Sequence, residues 1–270
     1  MALPAPSPDS AALVTGASSG IGSELARGLA RRGHGLLLVA RREDRLRELA
    51  DELSEHHGIR AEPLAADLSD PAARDGLAAE VERRGPAIDV LVNNAGFGIY
   101  EPFAKSDRER EVQQVRTLVE AVIDLSSRYL PGMVERDRGA IINVSSTAGF
   151  QPLPGNGTYA ASKAFVLFHS EALTEELRDT NVTVTAVCPG PVETEFLETS
   201  QPLFAEKVPK ALWVEPERVA EEALDAADRG KRTIVPGGRA VRAAFAPNRL
   251  APAPLALAVA RRLFAGELER

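Results

Sequence analysis

The sequence predicts an α/β protein, a single doubly wound domain built on a seven-stranded, mainly parallel sheet. Short, continuously apolar runs such as residues 35–40 are what a sheet covered on both faces requires. Between such runs leucines recur at helical spacing, as Leu46, Leu49 and Leu53 do. Glycine or proline punctuates most changes from one pattern to the other, and no linker-like stretch divides the chain.

Taken in order, residues 11–14 form a short strand, and the glycine- and serine-rich turn TGASSGIG follows it. Ile21, Leu25 and Leu29 then mark a helix that Gly33 stops, and residues 35–40 form the second strand. The helix of Leu46, Leu49 and Leu53 closes at Gly58, residues 60–66 read as a weak strand, and a helix with Leu77 and Val81 follows Pro71. Residues 88–92 are the next strand, and a long helix over 107–129 is expected to end at Pro131 and Gly132. A strand at 140–144, a Gly/Pro-rich loop, a helix at 158–178 and a strand at 182–188 come next. Residues 216–228 are helical and 232–235 extended. The stretch 191–214, with Phe196, Phe204 and Trp213, reads equally as a mobile lid or as a plain surface loop. Residues 1–10 are expected to be a disordered leader, 11–240 the ligand-binding and catalytic domain, and 241–270 a helical tail packed on it.

Composition narrows the function. With 44% hydrophobic and 26% charged residues among 270, the chain is globular and disorder is excluded as its main state. Thirty-two basic against thirty-nine acidic residues, a formal charge of -7 and no long basic run argue against nucleic acid. A lone cysteine, Cys188, excludes an intrachain disulfide and a multi-cysteine metal site and fits a cytoplasmic location. The opening MALPAPSPDS has neither a basic start nor an apolar h-region, so no signal peptide is expected. The apolar stretch 250–260 carries two prolines and meets Arg261 and Arg262, short of the roughly 20 residues a transmembrane helix needs.

The turn TGASSGIG places Gly16, Gly20 and Gly22 between a strand and a helix, where backbone amides can approach a pyrophosphate at the positive end of the helix dipole. Together with NNAG (Asn93, Asn94, Ala95, Gly96) after the fourth strand and YAASK from Tyr159 to Lys163, it resembles the short-chain dehydrogenase/reductase family over residues 11–236. The resemblance implies a Rossmann-like fold and an oxidoreductase using a nicotinamide dinucleotide. Gly16, Ser18, Ser19, Gly20 and Ile21 would then hold the pyrophosphate, Asp67 and Leu68 the adenine, and Asn94, Ala95 and Gly96 the adenosine ribose. Pro189, Gly190, Val192 and Thr194 would lie beside the nicotinamide.

Cofactor choice falls at the edge of the second strand, where an acidic residue meets a ribose 2′-hydroxyl. Ala40 stands there, followed by Arg41 and Arg42, whose guanidinium groups suit a 2′-phosphate and predict NADP(H). The competing reading is that both arginines simply begin a solvated helix with Glu43 and Asp44.

Tyr159 and Lys163 are four apart on a helix and so share a face. A phenol titrates near about 10, and a neighbouring ammonium favours the phenolate, so the expectation is a lowered Tyr159 serving as general acid in reduction and base in oxidation. The resemblance also gives Lys163 the nicotinamide ribose hydroxyls. Ser145 and Ser146 end the strand 140–144, and the family's serine, thirteen residues before its tyrosine, selects Ser146 to stabilise a developing alkoxide. Ser145 is left to cap backbone. The implied reaction is hydride transfer between the nicotinamide and a ketone or aldehyde, with Tyr159 moving the proton.

One position departs from the family pattern. Many relatives carry an asparagine twenty-eight residues before the serine, where it anchors a water. Here Leu118 stands at that place and cannot bind one. The departure leaves open non-redox chemistry, or a silent NADP(H)-binding protein with a regulatory or scaffold role. His56 and His57 sit where a helix C-terminus favours imidazolium, His34 and His169 look structural or exposed, and Cys188 fits packing in a buried strand. None suggests a metal site. Glu193 and Glu195 are expected to be solvated loop charges.

The substrate pocket is expected from the loop after Gly149, with Pro152, Leu153 and Pro154, and from the segment after Thr194, whose apolar residues suggest a lipophilic carbonyl or alcohol. The resemblance implies a homodimer or homotetramer. The alanine-rich tail is a candidate to cover a subunit edge or touch a membrane surface.

Overall fold

A computed structural model describes residues 3–196 and 208–264. Strand β1 (Ser10–Thr15) leads into α1 (Gly20–Arg31), β2 (Gly35–Ala40), α2 (Glu43–His57), β3 (Ala61–Ala65), α3 (Pro71–Arg84) and β4 (Ala87–Asn93). Helices α4 (Arg108–Val115) and α5 (Ala121–Glu135) are joined by a π-turn, Arg116–Glu120. Then come β5 (Gly139–Val144), α6 (Gly157–Glu176), β6 (Val182–Val187), α7 (Pro216–Asp228), β7 (Thr233–Ile234), α8 (Gly238–Phe245) and α9 (Ala253–Phe264).

The seven strands run in the order β3-β2-β1-β4-β5-β6-β7, and every pairing is parallel. "Mainly parallel" thus becomes wholly parallel. The chain builds outward from β1 in one direction and from β4 in the other, so the β1–β4 pair, with Val14 opposite Val92, is the switch point where a crevice opens at the strands' carboxyl ends.

Strand side chains alternate between two cores. Ala12, Val14, Leu36 and Leu38 face Leu25 and Leu29 of α1, Leu46 and Leu53 of α2 and Leu224 of α7. Ala11, Leu13, Leu37 and Val39 face Leu77 and Val81 of α3, Leu125 of α5 and Leu173 of α6. This explains why the strands read as unbroken apolar runs: both faces are covered.

Three expectations are corrected. The helix meant to stop at Pro131 continues to Glu135, because Met133 is fully buried beneath β5, and tertiary packing outweighs the donor the proline removes. A Cβ on Gly139 would stand 2.6 Å from the Met133 side chain. That long helix is also interrupted by the π-turn. The leader is ordered from Leu3 onward: Leu3 joins the first core, and its N–H donates to Asp228 Oδ1 at 3.2 Å. Arg138 donates to the Ala5 carbonyl from β5's N-terminal side. Within residues 191–214, Phe204 lies outside the described residues, whereas Trp213 donates its indole N–H to the Val208 carbonyl at 3.2 Å. No helix among the described residues is long and apolar enough to cross a membrane.

Candidate active site

The crevice begins with Thr15 at the end of β1. Its hydroxyl donates to the Val92 carbonyl (3.0 Å) and accepts from the N–H groups of Asn94 (2.9 Å) and Ala95 (3.1 Å). The Asn94 amide donates back to the Thr15 carbonyl at 3.0 Å. The two switch-point loops are thereby held together from both sides. Gly16 has φ +66°, and a Cβ on Gly22 would stand 2.2 Å from the Gly16 carbonyl oxygen, so only glycines permit this tight passage.

At the N-terminus of α1, Ser19 makes no side-chain capping bond, which leaves the helix's first amides to an anion. The glycine cradle with those unclaimed donors fits a dinucleotide pyrophosphate.

These elements enclose one cleft of about 780 Å³. The turn contributes Gly16, Ser18, Ser19, Gly20 and Ile21, the edge of β2 Arg41 and Arg42, and the segment after β3 Asp67 and Leu68. Asn94, Ala95 and Gly96 follow β4, Ser146 follows β5, Tyr159 and Lys163 project from α6, and Pro189, Gly190, Val192 and Thr194 follow β6. The structure therefore brings together every residue that the sequence assigned to cofactor or chemistry.

Arg42 is exposed at the start of α2, yet its side chain is engaged at the cleft's edge. Its guanidinium donates to the Ser18 hydroxyl (3.0 Å), the Ser19 hydroxyl (2.8 Å) and the Glu195 carboxylate (2.7 Å). Glu195 also pairs with Arg45, and hydrogen bonds from Arg42 and Arg45 hold its carboxyl below the usual range. The expectation of a purely solvated Glu195 is corrected: the segment after β6 is tied to the start of α2 across the cleft's edge. Arg41 has no carboxylate or hydrogen-bond partner for its side chain among the described residues.

At the other end Tyr159 and Lys163 are both buried. The lysine ammonium donates to the Val144 carbonyl at 2.7 Å and lies 5.6 Å from the centre of the Tyr159 ring. Ser145 donates to the Lys163 carbonyl at 2.7 Å, fastening β5 to α6 as a backbone cap. Ser146 accepts from the Ala148 N–H at 3.1 Å.

Burial pushes the Tyr159 phenol up to about 12, against the downward effect of hydrogen bonding from Ser146. Burial also brings Lys163 down to about 8. The expected lowering of the phenol by its lysine is therefore reversed, because the ammonium is spent on a carbonyl and desolvation dominates.

The sequence reading missed several lining residues. Tyr100 is one of them: with Phe196, from the segment after Thr194 that the sequence did assign to the pocket, it crowds Gly98, where a Cβ would stand 3.1 and 3.0 Å from them, and Phe196 packs on Tyr159 with ring centres 5.7 Å apart. The aromatic of GFGIY, close behind NNAG, was the available signal. Arg110 and Gln113 of α4 and Thr117 of the π-turn also line the cleft. Phe245, Ala256 and Val259 come from the C-terminal segment, which sequence alone left as a tail. Leu153 of the predicted loop lines the cleft as well.

Leu118 sits in the π-turn with 1% of its surface exposed, against Gly96. Outside the site, Cys188 is buried and its thiol is pushed up to about 12 by burial, which suits packing rather than nucleophilic chemistry. His56 Nδ1 lies 2.8 Å from the Glu52 carbonyl, His34 is buried, and His169 stacks on Phe165 with ring centres 5.6 Å apart.

A family model described as short chain dehydrogenase matches residues 10–202. An NADP-dependent 3-hydroxy acid dehydrogenase of Shigella flexneri is 39% identical over 186 residues, covering 68% of this chain and 73% of that protein. A very-long-chain 3-oxoacyl-CoA reductase of Bos taurus is 34% identical over 203 residues, 74% of this chain and 64% of that longer protein. Among solved structures, a short-chain dehydrogenase from Sphingobium yanoikuyae in complex with NADPH superposes with a TM-score of 0.79 at 33% identity, covering 96% of both chains.

Proposed function

The chain belongs to the short-chain dehydrogenase family and is an NADP-dependent oxidoreductase of alcohol and carbonyl groups, and from that premise we propose that Ser146, Tyr159 and Lys163 form its chemical centre and interconvert a ketone or aldehyde with its alcohol. The observation that carries the reading is the Tyr159 phenol, buried in the same cleft as the glycine cradle, beside Ser146 and with Lys163 behind its ring.

NADPH, when bound, supplies the hydride. Arg41 and Arg42 would meet its 2′-phosphate, and Gly16, Ser18, Ser19, Gly20 and Ile21 its pyrophosphate. Asp67 and Leu68 would meet the adenine, Asn94, Ala95 and Gly96 the adenosine ribose, Lys163 the other ribose, and Pro189, Gly190, Val192 and Thr194 the nicotinamide end. Ser146 would hydrogen-bond the substrate's carbonyl oxygen as negative charge develops on it. Tyr159, whose phenol is pushed up to about 12 by burial, holds its proton at Oη through the neutral range and would give it to that oxygen in reduction. The Lys163 ammonium, held on the Val144 carbonyl 5.6 Å from the ring centre, would offset only part of the charge on the phenolate left behind. Phe196 and Tyr100 wall this end and limit water.

The apolar lining from Phe97, Leu153, Phe196, Phe245 and Val259 suits a lipophilic substrate. Exposed Val115 and Ile123 on the α4–α5 segment, with Phe165 and Phe168 on α6, suit a homodimer or homotetramer joined through these helices. The single cysteine supports a cytoplasmic location.

Leu118 favours a second reading, an NADP(H)-binding protein with non-redox chemistry or a regulatory role. The test follows NADPH absorbance with a panel of ketones and aldehydes, comparing the wild type with Tyr159→Phe. The proposal expects at least about a hundredfold loss in the variant with cofactor binding retained. Tight NADPH binding without any reduction above the variant's rate would establish the second reading instead.

A further inference from the structure

The acidic charge of this protein is unevenly distributed. Positions 231–266 hold seven lysines and arginines and no aspartate or glutamate, leaving twenty-five basic against thirty-nine acidic residues elsewhere. The same segment carries four of the ten large apolar side chains that stand exposed among the described residues. Leu250 is 88% exposed in the turn before α9, and Leu255, Leu257 and Val259 on α9 are 59%, 42% and 51% exposed, whereas Ala256 is buried against the domain. Arg239, Arg242, Arg249 and Arg261 are exposed in this segment. Arg242 and Arg249 pair with Glu222 and Glu171, and neither Arg239 nor Arg261 has a carboxylate partner among the described residues.

Exposed leucines beside basic side chains are the composition of a helix that lies along a bilayer surface, and α9, at 12 residues, is too short to cross one. The charge discriminates between occupants. A two-fold contact would set Arg239 and Arg261, which have no carboxylate partner among the described residues, near their own copies with no carboxylate inside the segment to relieve the repulsion. An anionic lipid surface offers both phosphates for the arginines and an apolar layer for the leucines. Phe245, Ala256 and Val259 also wall the cleft, so the docked face borders its mouth.

We propose that α9 and the turn before it dock this protein peripherally on an anionic membrane surface. Docking does not depend on the redox reading, and its test is independent of turnover. The full chain is sedimented with vesicles of phosphatidylcholine alone and of equimolar phosphatidylcholine and phosphatidylglycerol, at low and high salt.

The expected result is binding at least about tenfold tighter to the anionic vesicles, weakening as salt rises. Leu255→Glu/Leu257→Glu should abolish it, and Arg239→Glu/Arg261→Glu should weaken it and flatten the salt dependence. None of these four side chains lines the cleft, so NADPH binding by each variant serves as the check that it is folded. Absence of binding to anionic vesicles at low salt would overturn the proposal, as would undiminished binding by the leucine variant. Conversion of a wild-type oligomer to monomers by Leu255→Glu/Leu257→Glu in sedimentation equilibrium would assign the face to a second copy and overturn it equally.

Discussion

Leu118 approaches Gly96 so closely that a Cβ added at Gly96 would stand 2.5 Å from Leu118 Cδ2. The two positions are therefore energetically coupled through space. Gly96→Ala should destabilise the protein by about 1–3 kcal/mol through overpacking, and Leu118→Ala by about 2–5 kcal/mol through the cavity it leaves. In the double variant the added methyl enters that cavity, so the combined cost should fall clearly below the sum of the two. Urea denaturation of the four proteins measures the cycle, and strict additivity would refute the contact.

Leu118→Asn asks a different question of the same site. Burying an amide there lowers stability, but if the leucine merely replaces a water anchor, turnover per folded molecule should stay level or rise. A large fall in steady-state reduction, corrected for folded fraction, would show that the leucine has a role of its own.

Lys163 carries a pH dependence with a definite sign. Its folded pKa of about 8 lies below the ordinary 10.5, so the folded state binds the proton less tightly than the unfolded chain. The resulting cost is fully present below about pH 8 and is relieved as pH rises toward 10.5. Lys163→Met removes the buried charge and should stabilise the cofactor-free protein near neutrality by about 3 kcal/mol, less whatever the lost bond to Val144 contributes. Denaturation midpoints across this pH range would reveal a difference that narrows with rising pH, and a constant difference would contradict the assignment.

The pairing of Arg42 with Glu195 places a carboxylate where a 2′-phosphate is expected. Glu195→Gln should tighten NADPH about two- to tenfold at low ionic strength, because it removes a like charge from that edge. NADH affinity should hardly change. Fluorescence titration of both cofactors checks this, and equal effects on the two would place Glu195 outside phosphate recognition.

Arg41, with no side-chain partner among the described residues, should contribute directly. Arg41→Ala is expected to weaken NADPH about tenfold, the usual size for a charge-assisted hydrogen bond, and to spare NADH. If NADH binds wild type as tightly as NADPH and the variant alters neither, the second-strand argument for cofactor choice fails.

How much of this was legible in the sequence depended on chain distance. The seven strands, the helices between them and the glycine turn were readable because apolar period, helix stops and left-handed glycines act over a few residues, as at Gly33, Gly58 and Pro71. Tyr159, Lys163 and Ser146 were readable through the family resemblance, with which the four-residue spacing on a helix and the end of a strand agree. Pro131 misled because local chemistry stops a helix there while the buried Met133 keeps it going. Leu3 looked like part of a frayed leader because its partner, Asp228, lies 225 residues away.

The chemistry at the site divides in the same way. Residue identities, determined by sequence alone, supplied an anion cradle, two candidate phosphate-binding arginines and a phenol beside an amine. Only the tertiary structure decided that the amine points at Val144, that burial pushes the phenol up to about 12, and that Glu195 reaches Arg42 across 153 residues. It also decided that the tail walls the cleft. Burial and long-range pairing set these properties, and both arise only when distant segments exclude water from one another.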